Sequence, residues 1–135
     1  MAAFDRLKRR PDFLRVAGTR RKSVTPGLIL QARPRAAAEP EVFRVGFTVS
    51  RKVGGAVARN RARRRLRAAA AAVMPAHAAA AHDYVVIGRA ATLTRPFPAL
   101  IDDLCAGLRR LGLYRGDGAT DNGVGRAVAG EAAPA

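Results

Sequence analysis

The order of apolar and polar residues predicts a short series of helices and strands. The segment "RPDFLRVAGT" opens with a proline, which a first helical turn tolerates, and it places Phe13, Val16 and Ala17 on one face, so it predicts a helix. The segment "GLILQA" predicts a strand, and we expect a further short strand near residues 23–24. The segment "RPRAAAEPE" predicts a loop, because proline removes donors that a strand ladder needs.

The second half continues in the same way. Strict alternation in "VFRVGFTVS" points Phe43, Val45, Phe47 and Val49 to one side and predicts a strand with one buried face. A basic helix is expected from about residue 56 to residue 73, with its end before Pro75. The segment "DYVVIGR" predicts another strand, and "FPALIDDLCAGLRRLGL" predicts the final helix.

This order of elements predicts an α/β sandwich in which helices pack on a small sheet. The length of 135 residues fits one domain, which we expect to cover residues 1–115. Residues 116–135 are rich in glycine and alanine, and we expect a disordered tail there. If the strands on either side of the basic helix are parallel, a right-handed crossover is the default.

The charge is distributed unevenly along the chain. The formal net charge is +15, and residues 1–67 hold 19 lysines and arginines against four acids, whereas residues 68–135 hold six of each. A chain with only solvated charges would intersperse both signs. The excess in the first half therefore indicates a protein that binds a polyanion, above all a nucleic acid.

The basic helix carries most of this excess on one segment. With Ala62 at the centre of the inward face, Ala58, Leu66, Ala69 and Val73 complete a narrow apolar seam. The remaining face is basic and holds Arg59, Asn60, Arg63, Arg64 and Arg67, with Arg61 and Arg65 on the other side. No acid lies between residues 41 and 83, so nothing in the chain offsets this charge at helical spacing. A helix that reads DNA bases would carry more Asn, Gln, Ser and Thr, whereas this one offers only Asn60, so DNA binding ranks below RNA binding.

The other residues whose side chains could react or bind a metal fit structural roles. Cys105 lies within a leucine spacing and is expected to be a core thiol, while Asp102 and Asp103 are expected to be solvated. His77 and His82 have no further ligands at metal-binding spacing, so no metal site is expected. Without paired carboxylates, a self-sufficient nuclease is not expected either. No apolar stretch is long enough to span a membrane and no signal segment is visible, so we expect a cytoplasmic protein.

One stretch resembles the signature of a known family. The segment "FRVGFTVSRKVGGAVARNRARRRLR" is similar to the bacterial ribonuclease P protein component: a valine-glycine strand, a turn with serine, basic residues and glycine, and Arg-Asn-Arg at the start of a basic helix. The segments "RLKRRPDFLRV" and "RKSV" match the same family in the expected order. The resemblance covers about residues 6–113.

The resemblance implies a role beside a catalytic RNA. In that family the RNA subunit, with magnesium bound mainly by the RNA, hydrolyses a phosphodiester to remove the 5′ leader of precursor tRNA, and the protein helps to bind the leader. The implied partners are the catalytic RNA and the leader, with no small-molecule substrate and no catalytic residue in the protein. The family fold is an α/β sandwich with a left-handed βαβ crossover, so the resemblance reverses the default expected above. The main alternative is a structural RNA-binding protein of the ribosome or of its assembly.

The resemblance also assigns roles to individual residues. The residues that match the family's RNA-contacting turn and helix are Ser50, Arg51, Lys52, Arg59, Asn60, Arg61, Arg63, Arg64 and Arg67. Phe13 and Val16 match the helix face that lines the leader cleft, where an aromatic ring can stack on a base. From its spacing alone, Phe13 fits a core position equally well. The family often has aromatic residues where Ala17 and Gln31 stand in this chain.

Overall fold

The computed structural model describes residues 4–35 and 43–116, which form a five-stranded mixed sheet and three α-helices. The elements are β1 (Asp5–Arg6), α1 (Arg10–Gly18), β2 (Lys22–Val24), β3 (Leu28–Pro34), β4 (Arg44–Thr48), α2 (Ala56–His77), β5 (His82–Gly88) and α3 (Phe97–Arg110). Short 3-10 turns precede α2 at Arg51–Val53 and α3 at Ala90–Leu93. The predicted helices and strands are confirmed, including the short β2, while β1 was not predicted. Most of the predicted tail lies outside the described residues.

The strands are arranged in the order β1-β4-β5-β3-β2. The neighbours β4 and β5 are parallel, with Val45 opposite Tyr84, and β1 is parallel to β4. The pairs β3–β5 and β2–β3 are antiparallel. Consequently α2 is the crossover between two adjacent parallel strands.

The orientation of Val45 gives the hand of this crossover. Its side chain lies in the core cluster that contains the seam of α2, and its carbonyl accepts a hydrogen bond from the Leu7 N–H of the β1 side at 2.9 Å. In a strand of L-residues that runs upward, a residue whose side chain points toward the viewer directs its carbonyl to the right. The segment after β1 therefore lies to the right of β4, and β5 lies to the left of β4. Because α2 passes in front of the sheet on its way from β4 to β5, the crossover is left-handed. The expectation drawn from the family resemblance is confirmed, against the right-handed default.

Helices cover both faces of the sheet. The larger core lies between the sheet and the helices α2 and α3, around residues such as Leu30, Val86, Leu66 and Leu104. On the opposite face α1 seats Val16 in a smaller apolar cluster with Leu7 and Val85. The sequence pattern therefore predicted too little burial for β4, because α1 covers its second face at Gly46.

Gly46 explains how α1 approaches β4 so closely. A Cβ atom at this position would lie 2.5 Å from Cζ of Phe13, so only glycine leaves room for the phenyl ring. The alternation of apolar residues with Arg44, Gly46 and Thr48 suggested a solvated second face. In the structure that face is the floor beneath α1.

Three element boundaries differ from the prediction. The helix α2 continues past Pro75 to His77, because a proline in the last turn removes a single backbone hydrogen bond, the one to the carbonyl of the exposed Ala71. The strand β3 includes Pro34, which lies beyond the segment that β2 pairs and so needs no donor on that side. The helix α3 ends at Arg110 because Gly112, at φ +75°, forms a left-handed cap.

Candidate nucleic-acid interface

The seam of α2 sits on the sheet as its sequence predicts. Ala62, Leu66 and Ala69 are fully buried and Val73 is nearly so, whereas Ala58 at the start of the seam is half-buried. This docking turns the opposite side of the helix outward. We call that outward side the arginine face and define it as Arg59, Asn60, Arg63, Arg64 and Arg67.

The side chains of the arginine face are available to a ligand. Arg64 and Asn60 are exposed, while Arg59, Arg63 and Arg67 are half-buried. The only hydrogen bond among the side chains of this face within residues 4–35 and 43–116 joins Arg63 to the Asn60 oxygen at 2.9 Å. None of the five forms an ion pair with an acid in the same ranges. The face thus carries concentrated and unneutralised positive charge.

Arg65 differs from its neighbours on α2. Its Nε donates to the Thr92 carbonyl at 2.8 Å, and its terminal nitrogen donates to the Arg95 carbonyl. These bonds hold the 3-10 turn before α3 against α2. Arg65 is therefore a structural residue, and the arginine face lies on the other flank, away from α3.

A basic turn leads into α2. The Ser50 hydroxyl accepts the Lys52 N–H at 3.3 Å and so stabilises the turn, in which Arg51 and Lys52 are exposed. The helix then begins at Ala56 without a side-chain cap and without an acid in its first turn. The free N–H groups and the helix dipole add positive potential beside these two cations.

A cleft of about 510 Å³ lies between α1 and the sheet. Its walls are formed by residues of α1, of the segment before it and of the three central strands. They are Lys8, Arg10, Phe13, Leu14, Ala17, Gln31, Phe47, Thr48, Val85 and Ile87. Ala17 and Gln31, the two positions where this chain departs from the aromatic residues of the family it resembles, both belong to these walls.

Phe13 and Val16 take different positions at this cleft. Phe13 is half-buried: its ring packs on Gly46 and also lines the cleft, which unites the two roles that its spacing left open. Val16 has no exposed surface and packs beneath the cleft with Leu7 and Val85. Val16 therefore does not reach the surface of the cleft in this structure, and the leader contact that the resemblance implies for it stays a prediction.

Several cleft residues could not be chosen from the sequence. Lys8 and Arg10 flank the start of α1, and Thr48 ends β4, but nothing in their local pattern distinguishes them from other surface positions. The available signal was the helical spacing of Phe13, Leu14 and Ala17, which share one side of α1.

A buried ion cluster anchors α1 to the sheet. Asp83 of β5 accepts two hydrogen bonds from Arg44 of β4, at 2.8 and 2.7 Å, and its side chain is 1% exposed. Arg33 and Arg35 lie 3.7 and 3.6 Å from the same carboxylate. Arg44 also lies 3.6 Å from Asp12, the residue before Phe13. The cluster connects β3, β4 and β5 to the helix that carries the aromatic wall of the cleft.

Asp103 and Cys105 of α3 lie in structural environments, whereas Asp102 does not. Asp103 is buried, accepts two bonds from Arg95 at 2.6 and 3.1 Å and accepts the Gly27 N–H at 3.0 Å, so the expectation that it is solvated was wrong. Its neighbour Asp102 is exposed. Cys105 is half-buried against the core, and burial raises the pKa of its thiol above the usual range.

Two further features are absent from the described residues. No three His, Cys, Asp or Glu side chains in residues 4–35 and 43–116 lie together as a metal-binding group. Within the same ranges, no helix is long and apolar enough to cross a membrane.

Comparisons with known proteins agree with this geometry. The sequence model of the Ribonuclease P family matches residues 1–112. The chain is 61% identical over 113 residues to the ribonuclease P protein component of Paramagnetospirillum magneticum, covering 82% of this chain and 85% of the relative. It is 53% identical over 106 residues to the corresponding protein of Ruegeria pomeroyi, covering 78% and 84%. The solved structure of the Staphylococcus aureus RNase P protein shares the fold, with a TM-score of 0.68 at 24% identity over 82% of this chain and 97% of that one. The chain therefore belongs to the family of the bacterial ribonuclease P protein component, the protein subunit of a ribonucleoprotein enzyme that processes the 5′ ends of tRNA.

Proposed function

We propose that the arginine face binds the catalytic RNA of ribonuclease P and that the cleft receives the single-stranded 5′ leader of precursor tRNA. The observation that carries this proposal is the continuity of the two surfaces. Thr48 lines the cleft, and the basic turn Ser50–Lys52 follows within four residues, at most about 13 Å of extended chain. One strand end therefore joins the candidate leader site to the candidate RNA dock.

The arginine face supports docking on RNA through its electrostatics. Like charges at helical spacing destabilise an isolated helix, and the basic N-terminus of α2 is unfavourable for the same reason. Phosphate groups reverse both effects, because each arginine can donate charge-assisted hydrogen bonds to phosphate oxygens. The turn residues Ser50, Arg51 and Lys52 and the helix residue Arg61 extend this contact surface.

The cleft supports binding of a single strand through its composition. The Phe13 ring offers a stacking surface for a base, and Lys8 and Arg10 supply positive charge for the backbone. Ala17 and Gln31 leave Phe13 as the aromatic residue of the α1 wall. Stacking of the leader on the α1 side of the cleft therefore depends on Phe13 alone, and Phe47 of β4 is the other aromatic residue in the walls.

Catalysis is assigned to the RNA. Three buried acids of the described chain, Asp12, Asp83 and Asp103, are each paired with arginine, so they do not fit as magnesium ligands. We therefore assign the magnesium ions of the reaction to the RNA subunit. We also propose that the protein acts in the cytoplasm. The contribution of the protein is binding and electrostatic positioning.

A cleavage assay at low magnesium tests the proposal. Precursor tRNA and a bacterial ribonuclease P RNA are incubated with and without this protein, and the release of an intact 5′ leader is followed. The expected result is stimulated cleavage that requires the RNA subunit. Unchanged cleavage together with tight RNA binding would favour a structural role on ribosomal RNA instead.

Replacing Phe13 by alanine is expected to weaken binding of leader-containing substrate selectively. The loss of one stacked base corresponds to about 1–3 kcal/mol, whereas leaderless tRNA should bind the assembled enzyme as before. The measurement is the Kd of both substrates with the holoenzyme. The matched control is Phe97→Ala, because Phe97 is exposed and lies at the start of α3. Equal losses for both substrates would show that Phe13 acts only as a core residue.

A further inference from the structure

A second group of cations surrounds the C-terminal ends of α2 and α3. It comprises exposed residues from three separate segments of the chain: the turn and strand after α1, the last turn of α3, and the segment that follows α3. We call this group the C-terminal patch and define it as Arg20, Arg21, Lys22, Arg109, Arg110 and Arg115.

Hydrogen bonds bring the first two segments together. The Arg21 guanidinium donates to the Leu111 carbonyl, just past the end of α3. The Arg110 guanidinium donates to the Val24 carbonyl at 3.1 Å, at the end of β2. The cations near residue 21 and those near residue 110 therefore share one surface.

Aromatic stacking brings in the third segment. The Arg109 guanidinium carbon lies 4.1 Å from the centre of the Tyr114 ring, and His77 also stacks on that ring, with the ring centres 4.8 Å apart and the planes 8° apart. The His77 carbonyl accepts the Arg115 N–H. Arg115 is thereby fixed at the end of α2, beside Arg109.

Nothing among residues 4–35 and 43–116 neutralises this charge. The carboxylates Asp12, Asp83 and Asp103 form ion pairs only with arginines outside the patch. Asp5 lies in β1, at the opposite edge of the sheet from β2, and Asp102 lies seven residues before Arg109, about two turns along α3. The second half of the chain has no net formal charge, so counting along the sequence hides this patch.

Helix capping explains only part of the patch. The dipole of α3 favours Arg109, Arg110 and Arg21 near its C-terminus. It does not account for Arg20, which adopts a left-handed backbone with φ 59°. An L-residue with a long side chain is disfavoured there by about 1–2 kcal/mol, so glycine or asparagine would fit the backbone better. Such strain at an exposed cation indicates a functional use of the side chain.

We propose that the C-terminal patch is a second RNA-binding surface, which holds the phosphate backbone of a segment distinct from the one at the arginine face. His77 lies thirteen residues beyond Arg64 on the same helix, about 20 Å along the axis, so one short RNA contact does not cover both surfaces. A protein partner that binds through apolar contacts is disfavoured. Val24 is the one large exposed apolar residue of β2, and the one in α3 lies at the far end of that helix. The inference rests on the proposed function for the identity of the RNA, the catalytic subunit.

The triple variant Arg20→Asn, Lys22→Gln and Arg115→Gln tests this surface in the full-length protein. These side chains make no hydrogen bond or ion pair within the described residues, and asparagine suits the backbone of residue 20, so the melting temperature should not fall. We expect the slope of log K against log salt for the catalytic RNA to decrease in magnitude by about two to three. Hydroxyl-radical footprints should lose one set of protections and retain the set that depends on the arginine face.

The controls separate this inference from the proposed function. The variant Arg63→Gln/Arg64→Gln should remove the complementary set of protections. If the triple variant weakens all protections uniformly, its effect is one of net charge only, and the inference is overturned. An unchanged slope and footprint would overturn it as well. Failure of the wild-type protein to stimulate cleavage would instead contradict the proposed function itself.

Discussion

Replacing Asp83 by alanine is expected to lower the free energy of unfolding by about 3–5 kcal/mol, a large share of the stability of a domain of this size. The Asp83 carboxylate holds Arg44 through two short hydrogen bonds and lies near Arg33 and Arg35. Without it, three arginines remain close together in a largely buried setting. The measurement is urea denaturation followed by far-ultraviolet circular dichroism.

Two variants give this measurement a clear reading. Asp102→Ala removes the same charge from an exposed position and should change stability by no more than about 0.5 kcal/mol. Asp83→Asn keeps the shape and one acceptor oxygen but loses the charge, so its effect should fall between the two. If Asp83→Ala and Asp102→Ala prove equally stable, the ion cluster does not hold β3, β4 and β5 together.

The contrast between Asp83 and Asp102 shows what the sequence could not provide. Asp83 stands at the edge of an apolar strand, and Asp102 stands beside Asp103 within an apolar helix; such acids are usually solvated. The acids that are buried depend on arginines from other segments: Arg44 lies 39 positions before Asp83, and Arg95 from the turn before α3 pairs with Asp103, the neighbour of the exposed Asp102. Side-chain pairing across elements is a tertiary property that hydrophobic periodicity does not contain.

Periodicity predicted the elements themselves well, since each of these elements buries an apolar face. The seam around Ala62 and Leu66 and the alternation around Val45 correspond to buried faces in the structure. Periodicity fails where a second element packs on the face of a strand that the pattern predicts to be solvated. Gly46 appears in the polar half of an alternating strand, yet it is the seat of Phe13, and only the position of α1 makes that visible.

Replacing Arg64 by glutamine is expected to weaken the complex with the catalytic RNA and to reduce the magnitude of its salt slope by about one, while stability stays within about 0.5 kcal/mol of wild type. Adding Arg63→Gln and Arg67→Gln should extend the loss of affinity to about 100-fold or more, because hydrogen bonds to charged groups contribute about 1.5–3 kcal/mol each. The affinity and its slope are measured by filter binding over a series of salt concentrations.

Arg65→Gln is the matched control, because it removes the same charge one position further along α2. The Arg65 guanidinium donates its hydrogen bonds to the carbonyls of Thr92 and Arg95. Its loss should therefore lower the melting temperature and leave the salt slope of RNA binding unchanged. A purely long-range field would instead make the two arginines equivalent in RNA binding, since the variants differ little in position and not at all in net charge. Opposite responses of the slope and the melting temperature would therefore locate the RNA on the flank of α2 that carries Arg64. Identical responses would remove the arginine face as a specific contact surface.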